Sequence, residues 1–270
     1  MSRIAKKFAK LRAQNRAAFI PFLMAGDPDR AISQNLLLGL PDAGADLIEL
    51  GICFTDPMAD GPAIQAAGLR ALKAGQNLSI TLEMVARFRE KDDETPIILM
   101  GYYNPIYAFG VENFLLAAQK AGVDGLIVVD LPPEEDEELC LPAKRQGLDF
   151  IRLATPTSNE ERLSEIIKNT AGFIYYVSVA GITGGKSGAQ ADISTSIELL
   201  RSASDLPVGI GFGIKTPEQA ANMARMADAV IIGSALIETL TKALNDNKDP
   251  VDALLSQARS LANAIHKARA

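Results

Sequence analysis

"DLIELGICFTDPMADGPAIQAAGLRALKAG", residues 46–75, passes through three kinds of structure. It opens as an apolar run with one acid, Glu49, set between Ile48 and Leu50. It continues as a loop broken by Gly and Pro that carries Asp56 and Asp60. It ends in a polar/apolar pattern of helical period. A strand that is apolar at nearly every position is buried on both faces. A carboxylate inside such a strand loses its water, and its pKa rises.

The same unit recurs along the chain. Apolar, β-rich runs occupy 18–26, 46–51, 96–103, 125–131, 149–155, 173–181, 207–213 and 229–234, and helix-like segments separate them. Strands joined through helices run parallel. Eight such units in one chain of 270 residues predict a (β/α)8 TIM barrel, read as a single domain over 1–270. An open doubly wound sheet is the rival arrangement. Gly44, Gly122 and Gly147 stand where helices end and a left-handed cap is wanted. Pro142 should kink or restart the helix that follows the fourth strand.

Two further helices are expected outside the repeat. Ile4, Phe8 and Leu11 recur at helical spacing and predict an extra N-terminal helix rather than a targeting peptide. The tail "DPVDALLSQARSLANAIHKARA" predicts an additional C-terminal helix.

Composition narrows the function. The net charge is −6 and the charged content 22%, which argues for a soluble protein without nucleic-acid partners. No apolar run reaches the length of a membrane span. Cys53 and Cys140 form neither a disulfide framework nor a redox pair, which suits a reducing cytoplasm. His266 is the only histidine and lies in the tail, which removes His-dependent nucleophilic catalysis and most zinc sites. No strand ends in a lysine placed for a Schiff base.

Barrel chemistry sits at the C-terminal ends of the strands. Gly211 and Gly213 follow strand seven, and Gly233 and Ser234 follow strand eight, with Ser234 suited to an N-cap. Those two loops commonly form a phosphate site, because glycine lets backbone N–H groups approach an anion at a helix start. Gly184 and Gly185 could close its third side, and Lys215 is the nearby cation. Glu49 near the mouth is a candidate general acid and base. Asp60 is either a second acid brought over the pocket by its loop, or a turn-former and helix cap.

"LIELGICFTDPMADGPAIQAA" closely resembles the signature of the tryptophan synthase alpha chain family, roughly E-L-G-[VI]-P-[FY]-S-D-P-x-A-D-G-P-x-I-Q. "MGYYNPIYAFG", "VVDLPPEE", "YYVSVAGITG", "GFGI" and "IIGSA" follow in the family's order, so the resemblance spans essentially the whole chain. It implies a lyase that splits indole-3-glycerol phosphate into indole and glyceraldehyde 3-phosphate in L-tryptophan biosynthesis. It makes Glu49 the main acid/base and Asp60 the group that stabilises the indole N–H. It places Tyr175 and Thr183 beside the substrate, and Phe22, Tyr102 and Phe212 around the indole ring. It assigns Gly184, Gly213, Gly233 and Ser234 to the phosphate.

The resemblance implies no cofactor in this chain and a pyridoxal-phosphate-dependent beta chain as partner in an αββα assembly. Contact is expected around Asp56, Pro57, Met58, Asn104 and Pro132. The chain departs from the family at Cys53 (usually Pro), Thr55 (usually Ser), Ala180 (usually Thr or Ser) and the 184–188 loop. Alternatives are a barrel kept only to activate its partner, or a phosphate-binding isomerase.

Overall fold

The computed structural model describes residues 1–177, 186–211 and 213–269, and only the backbone for 186–192. Nine parallel strands form one sheet: Ala18–Met24 (β1), Ile48–Gly51 (β2), Ile97–Gly101 (β3), Gly125–Val128 (β4), Asp149–Phe150 (β5), Arg152–Ala154 (β6), Ile174–Val177 (β7), Val208–Gly211 (β8) and Ala229–Ile232 (β9). The order is β5-β4-β3-β2-β1-β9-β8-β7-β6. The two ends of that order, β5 and β6, are consecutive in the chain and separated only by Ile151. Ile151 donates its N–H to Leu126 at 2.9 Å. The run 149–154 therefore pairs with β4 on one side and β7 on the other, and the sheet closes into the (β/α)8 barrel.

The predicted strands are all present and mostly shorter than their apolar runs. The fifth is the one in two pieces. The fourth crossover departs most from a simple repeat: a turn of 3-10 helix at Pro133–Glu135 is followed by a six-residue helix, Cys140–Arg145. Pro142 sits in that helix's first turn, where a missing N–H costs nothing, so it restarts the helix rather than kinking one. Gly44, Gly122 and Gly147 have φ of +97°, +88° and +79°, the left-handed backbone their positions demanded.

Period-two alternation divides the barrel's side chains. Ile20, Leu47, Ile98, Ile127, Ile151 and Ile231 fill the lumen. Their neighbours in sequence face the outer helices, where Phe19, Ile48, Leu99, Leu126 and Val230 join the larger core. The N-terminal helix Arg3–Ala13 does not join the outer ring. Its buried residues Ile4, Phe8 and Leu11 pack with the lumen set, and Phe8 lies 5.7 Å from Phe173 between ring centroids. It closes the barrel's N-terminal end. The C-terminal helix Pro250–His266 lies in the outer layer and is pinned by His266, whose Nε2 is 3.0 Å from the buried carboxylate of Asp46. With one end closed by a helix, the lumen opens only at the C-terminal ends of the strands.

Candidate active site

Leu47 is a lumen residue, so Glu49, two positions on, points the same way and one layer higher. Register places it between Phe22 on β1 and Ile98 on β3. Its side chain is 1% exposed, and Oε1 is buried without a hydrogen-bond partner. A salt bridge, the structural explanation for a buried acid, is absent here among the described residues. Burial alone pushes the carboxyl up to about 8, so Glu49 is a neutral carboxylic acid at pH 7.

Above it the strands end in a cavity. Tyr175 reaches it from β7; burial, and secondarily the Glu49 carboxyl, push its phenol well above 10. It stays protonated at neutral pH. Phe22 crosses the wall between two glycines. A Cβ on Gly51 would lie 2.6 Å from the Phe22 ring, and one on Gly233 would lie 3.2 Å from its Cβ. The bare backbone on both sides makes room for this ring.

Asp60 hangs over the cavity from the loop after β2 and is half-buried. Burial pushes its carboxyl up, and a hydrogen bond from Tyr102 draws it partly back. Gly61, not Asp60, caps the following helix Pro62–Lys73, and Asp60 is left to face the cavity. Tyr102 is buried and lines the cavity, but its hydroxyl serves the loop, accepting the N–H of Ala59 at 3.0 Å.

On the other side, Gly213 (φ +73°) and Gly233 line the same space with Ser234. Gly233 is the N-cap of the helix Ser234–Asn245, and Ser234 is its first residue rather than the cap. That helix start has no side-chain cap, and its dipole faces the cavity. Lys215 is nearby, held by Glu238 at 2.9 Å. Thr183, Gly184 and Phe212 lie outside the described residues, as do Ala180 and Gly185.

Several apolar wall residues were not singled out from the sequence: Met24, Ile64, Met100, Val129 and Ile231. Alternation could have found three of them. Met100 and Val129 follow the lumen residues Ile98 and Ile127 by two, and Ile231 precedes Gly233 by two. Among the described residues no three metal-ligating side chains converge, and no helix is long and apolar enough to cross a membrane.

A barrel mouth with a neutral-held carboxylic acid on its floor, a second acid on a loop and an uncapped helix start opposite fits the enzymes of the (β/α)8 class. Comparison with known proteins makes this specific. The sequence profile of the tryptophan synthase alpha chain matches residues 8–266. The structure of tryptophan synthase subunit alpha from Legionella pneumophila str. Paris is 42% identical, covers 98% of each chain and superposes with a TM-score of 0.92. A chain of Mycobacterium tuberculosis tryptophan synthase is 35% identical over 98% of each chain, with a TM-score of 0.87. The chain belongs to the tryptophan synthase alpha chain family. It is a carbon–carbon lyase of tryptophan biosynthesis, cleaving indole-3-glycerol phosphate as the alpha subunit.

Proposed function

We propose that Glu49 is the acid/base of this cleavage and Asp60 its electrostatic partner. The observation that carries the reading is the orphaned, buried carboxyl oxygen of Glu49 on the cavity floor. Glu49 as the neutral acid gives its proton to the ring carbon bearing the side chain. Positive charge then develops at the indole N–H, and the Asp60 carboxylate stabilises it. The bond from ring carbon to side chain breaks, and its electron pair returns to the ring. The side-chain hydroxyl loses its proton to Glu49 as the aldehyde forms, so the enzyme ends as it began. Tyr175 and Thr183 position the reacting groups. Phe22, Tyr102 and Phe212 flank the ring. Gly184, Gly213, Gly233 and Ser234 hold the phosphate, Gly233 and Ser234 through N–H donors at the start of their helix.

The partner in this reading is a pyridoxal-phosphate-dependent beta chain in an αββα assembly, and this chain needs no cofactor of its own. Support comes from the C-terminal face, where Met58 is 84% exposed and Asn104 and Pro132 are also exposed. Asp56 accepts the Thr55 hydroxyl at 2.5 Å and shapes its own turn. The chain acts as a single domain.

Glu49→Gln should abolish indole release while the substrate still binds. Asp60→Asn should lower turnover strongly, each lost role costing about 10²–10⁴-fold. Wild-type turnover in Glu49→Gln would defeat the assignment. Adding a beta chain should speed indole release by the native chain; no acceleration would count against the assembly.

A further inference from the structure

The helix Pro62–Lys73 starts two residues after Asp60, so its seat on the barrel decides where Asp60 arrives. The fully buried face of that seat is small, Ala67, Gly68 and Ala71, with Ile64 and Leu72 partly buried beside it, against Phe22 and Met24 on the cavity wall. Small side chains allow close approach, and apolar contact of this kind is non-directional. The helix start has no side-chain cap either.

One directional contact fixes it. Arg70 binds Asp27 through two nearly parallel hydrogen bonds, Nε at 2.6 Å and Nη2 at 2.9 Å. A two-point fork sets angle as well as distance. Asp27 is 2% exposed and lies just past β1 on a segment that is itself tied down. Ala25 donates to Gly51 at 3.0 Å, Gly26 to the Ser33 hydroxyl at 2.9 Å and Asp27 to Met24 at 3.2 Å. From Arg70 the helix runs back to Gln65, whose amide donates to the Asp60 carbonyl at 2.9 Å. An unbroken path thus leads from the end of β1 to Asp60.

We propose that Asp27 and Arg70 are positioning residues for the cleavage, setting the register of the helix Pro62–Lys73 and with it the reach of Asp60 over the cavity. The inference rests on the role given above to Asp60. Neither residue lines the cavity.

The test is a double-mutant cycle on indole-3-glycerol phosphate cleavage with Arg70→Lys, which keeps the charge and loses the fork. Arg70→Lys should lower kcat about tenfold with KM little changed, as a misplaced group does. In an Asp60→Asn background the same substitution should cost no more than about twofold. Hydrogen exchange across 56–65 should quicken in Arg70→Lys while β1 to β3 stay protected. An equal loss in both backgrounds, or unchanged exchange across 56–65, would overturn the proposal. Full activity in Asp60→Asn alone would instead remove the Asp60 role and leave the pair a purely structural contact.

Discussion

The hydroxyl of Tyr102 accepts the backbone N–H of Ala59 at 3.0 Å and bonds the Asp60 carboxylate, so one side chain at the end of β3 holds the loop that follows β2. The Asp60 loop is thereby anchored to the barrel at its middle. Tyr102→Phe removes the oxygen, keeps the ring and leaves the N–H of exposed Ala59 to water. Turnover should fall about ten- to thirtyfold, in line with two lost hydrogen bonds of about 1 kcal/mol each. Steady-state kinetics with a thermal melt checks this, and an unchanged kcat would show that the loop needs no such anchor.

A second prediction concerns pH and activity. Burial holds Glu49 protonated up to about 8, and in the proposed mechanism the acid form starts the reaction. Cleavage should therefore decline as pH rises through about 8. A profile flat to pH 9.5 in single-turnover experiments would refute this ionisation.

Stability should follow the same group with a definite sign. In the unfolded chain Glu49 ionises at its ordinary value, while in the fold it keeps its proton to about 8. The fold therefore binds the extra proton, and stability contributed by neutral Glu49 is lost as pH climbs between those values. Glu49→Gln should melt higher than the native chain at pH 8 and about equal to it at pH 4. The reverse order would contradict the burial argument. An enzyme that gains stability on losing its acid keeps that acid for chemistry.

Gly51→Ala tests the cavity wall. The new methyl would lie 2.6 Å from the ring of Phe22, a cavity-lining residue that would have to shift. KM should rise about tenfold or more, since overpacking of this kind costs about 1–3 kcal/mol. Restoration of KM by Phe22→Leu in the same chain would confirm the collision; no rescue would point to another cause.

At the far end, Asp46 accepts from Arg16 at 2.6 Å, from the Phe19 N–H at 2.9 Å and meets His266 at 3.0 Å. These hydrogen bonds hold its carboxyl below the ordinary range despite burial. A lowered carboxyl contributes stability above its unfolded pKa and loses it as pH falls through the folded one. Asp46→Asn should lower the melting temperature at pH 7 by several degrees, and the gap should narrow toward acid pH. Indole release below the melting range should stay unchanged.

Much of this architecture was legible in sequence because parallel strands buried on both faces leave unbroken apolar runs. Eight of them with helices between admit few other folds. Glu49 was legible for the same reason, as one charge inside such a run. What escaped was set by tertiary contact. The amphipathic N-terminal helix announced a buried face but not that Ile4 and Phe8 would close the barrel floor. The break at Ile151, where the run passes from pairing with β4 to pairing with β7, has no mark in the local sequence. Tyr102 looked like a wall for a ring and is also the anchor of a loop, which only the distance to Ala59 reveals. Asp27 and Arg70, 43 positions apart, gave no local sign of each other.

The most direct test of the account is the protonation of Glu49 itself. Infrared difference spectra of native chain against Glu49→Gln, taken from pH 5 to 10, isolate its carboxyl stretch. A protonated carboxyl is expected at pH 7, ionising near 8. A carboxylate already ionised at pH 6 would contradict it, and the proton for the indole ring would have to come from elsewhere.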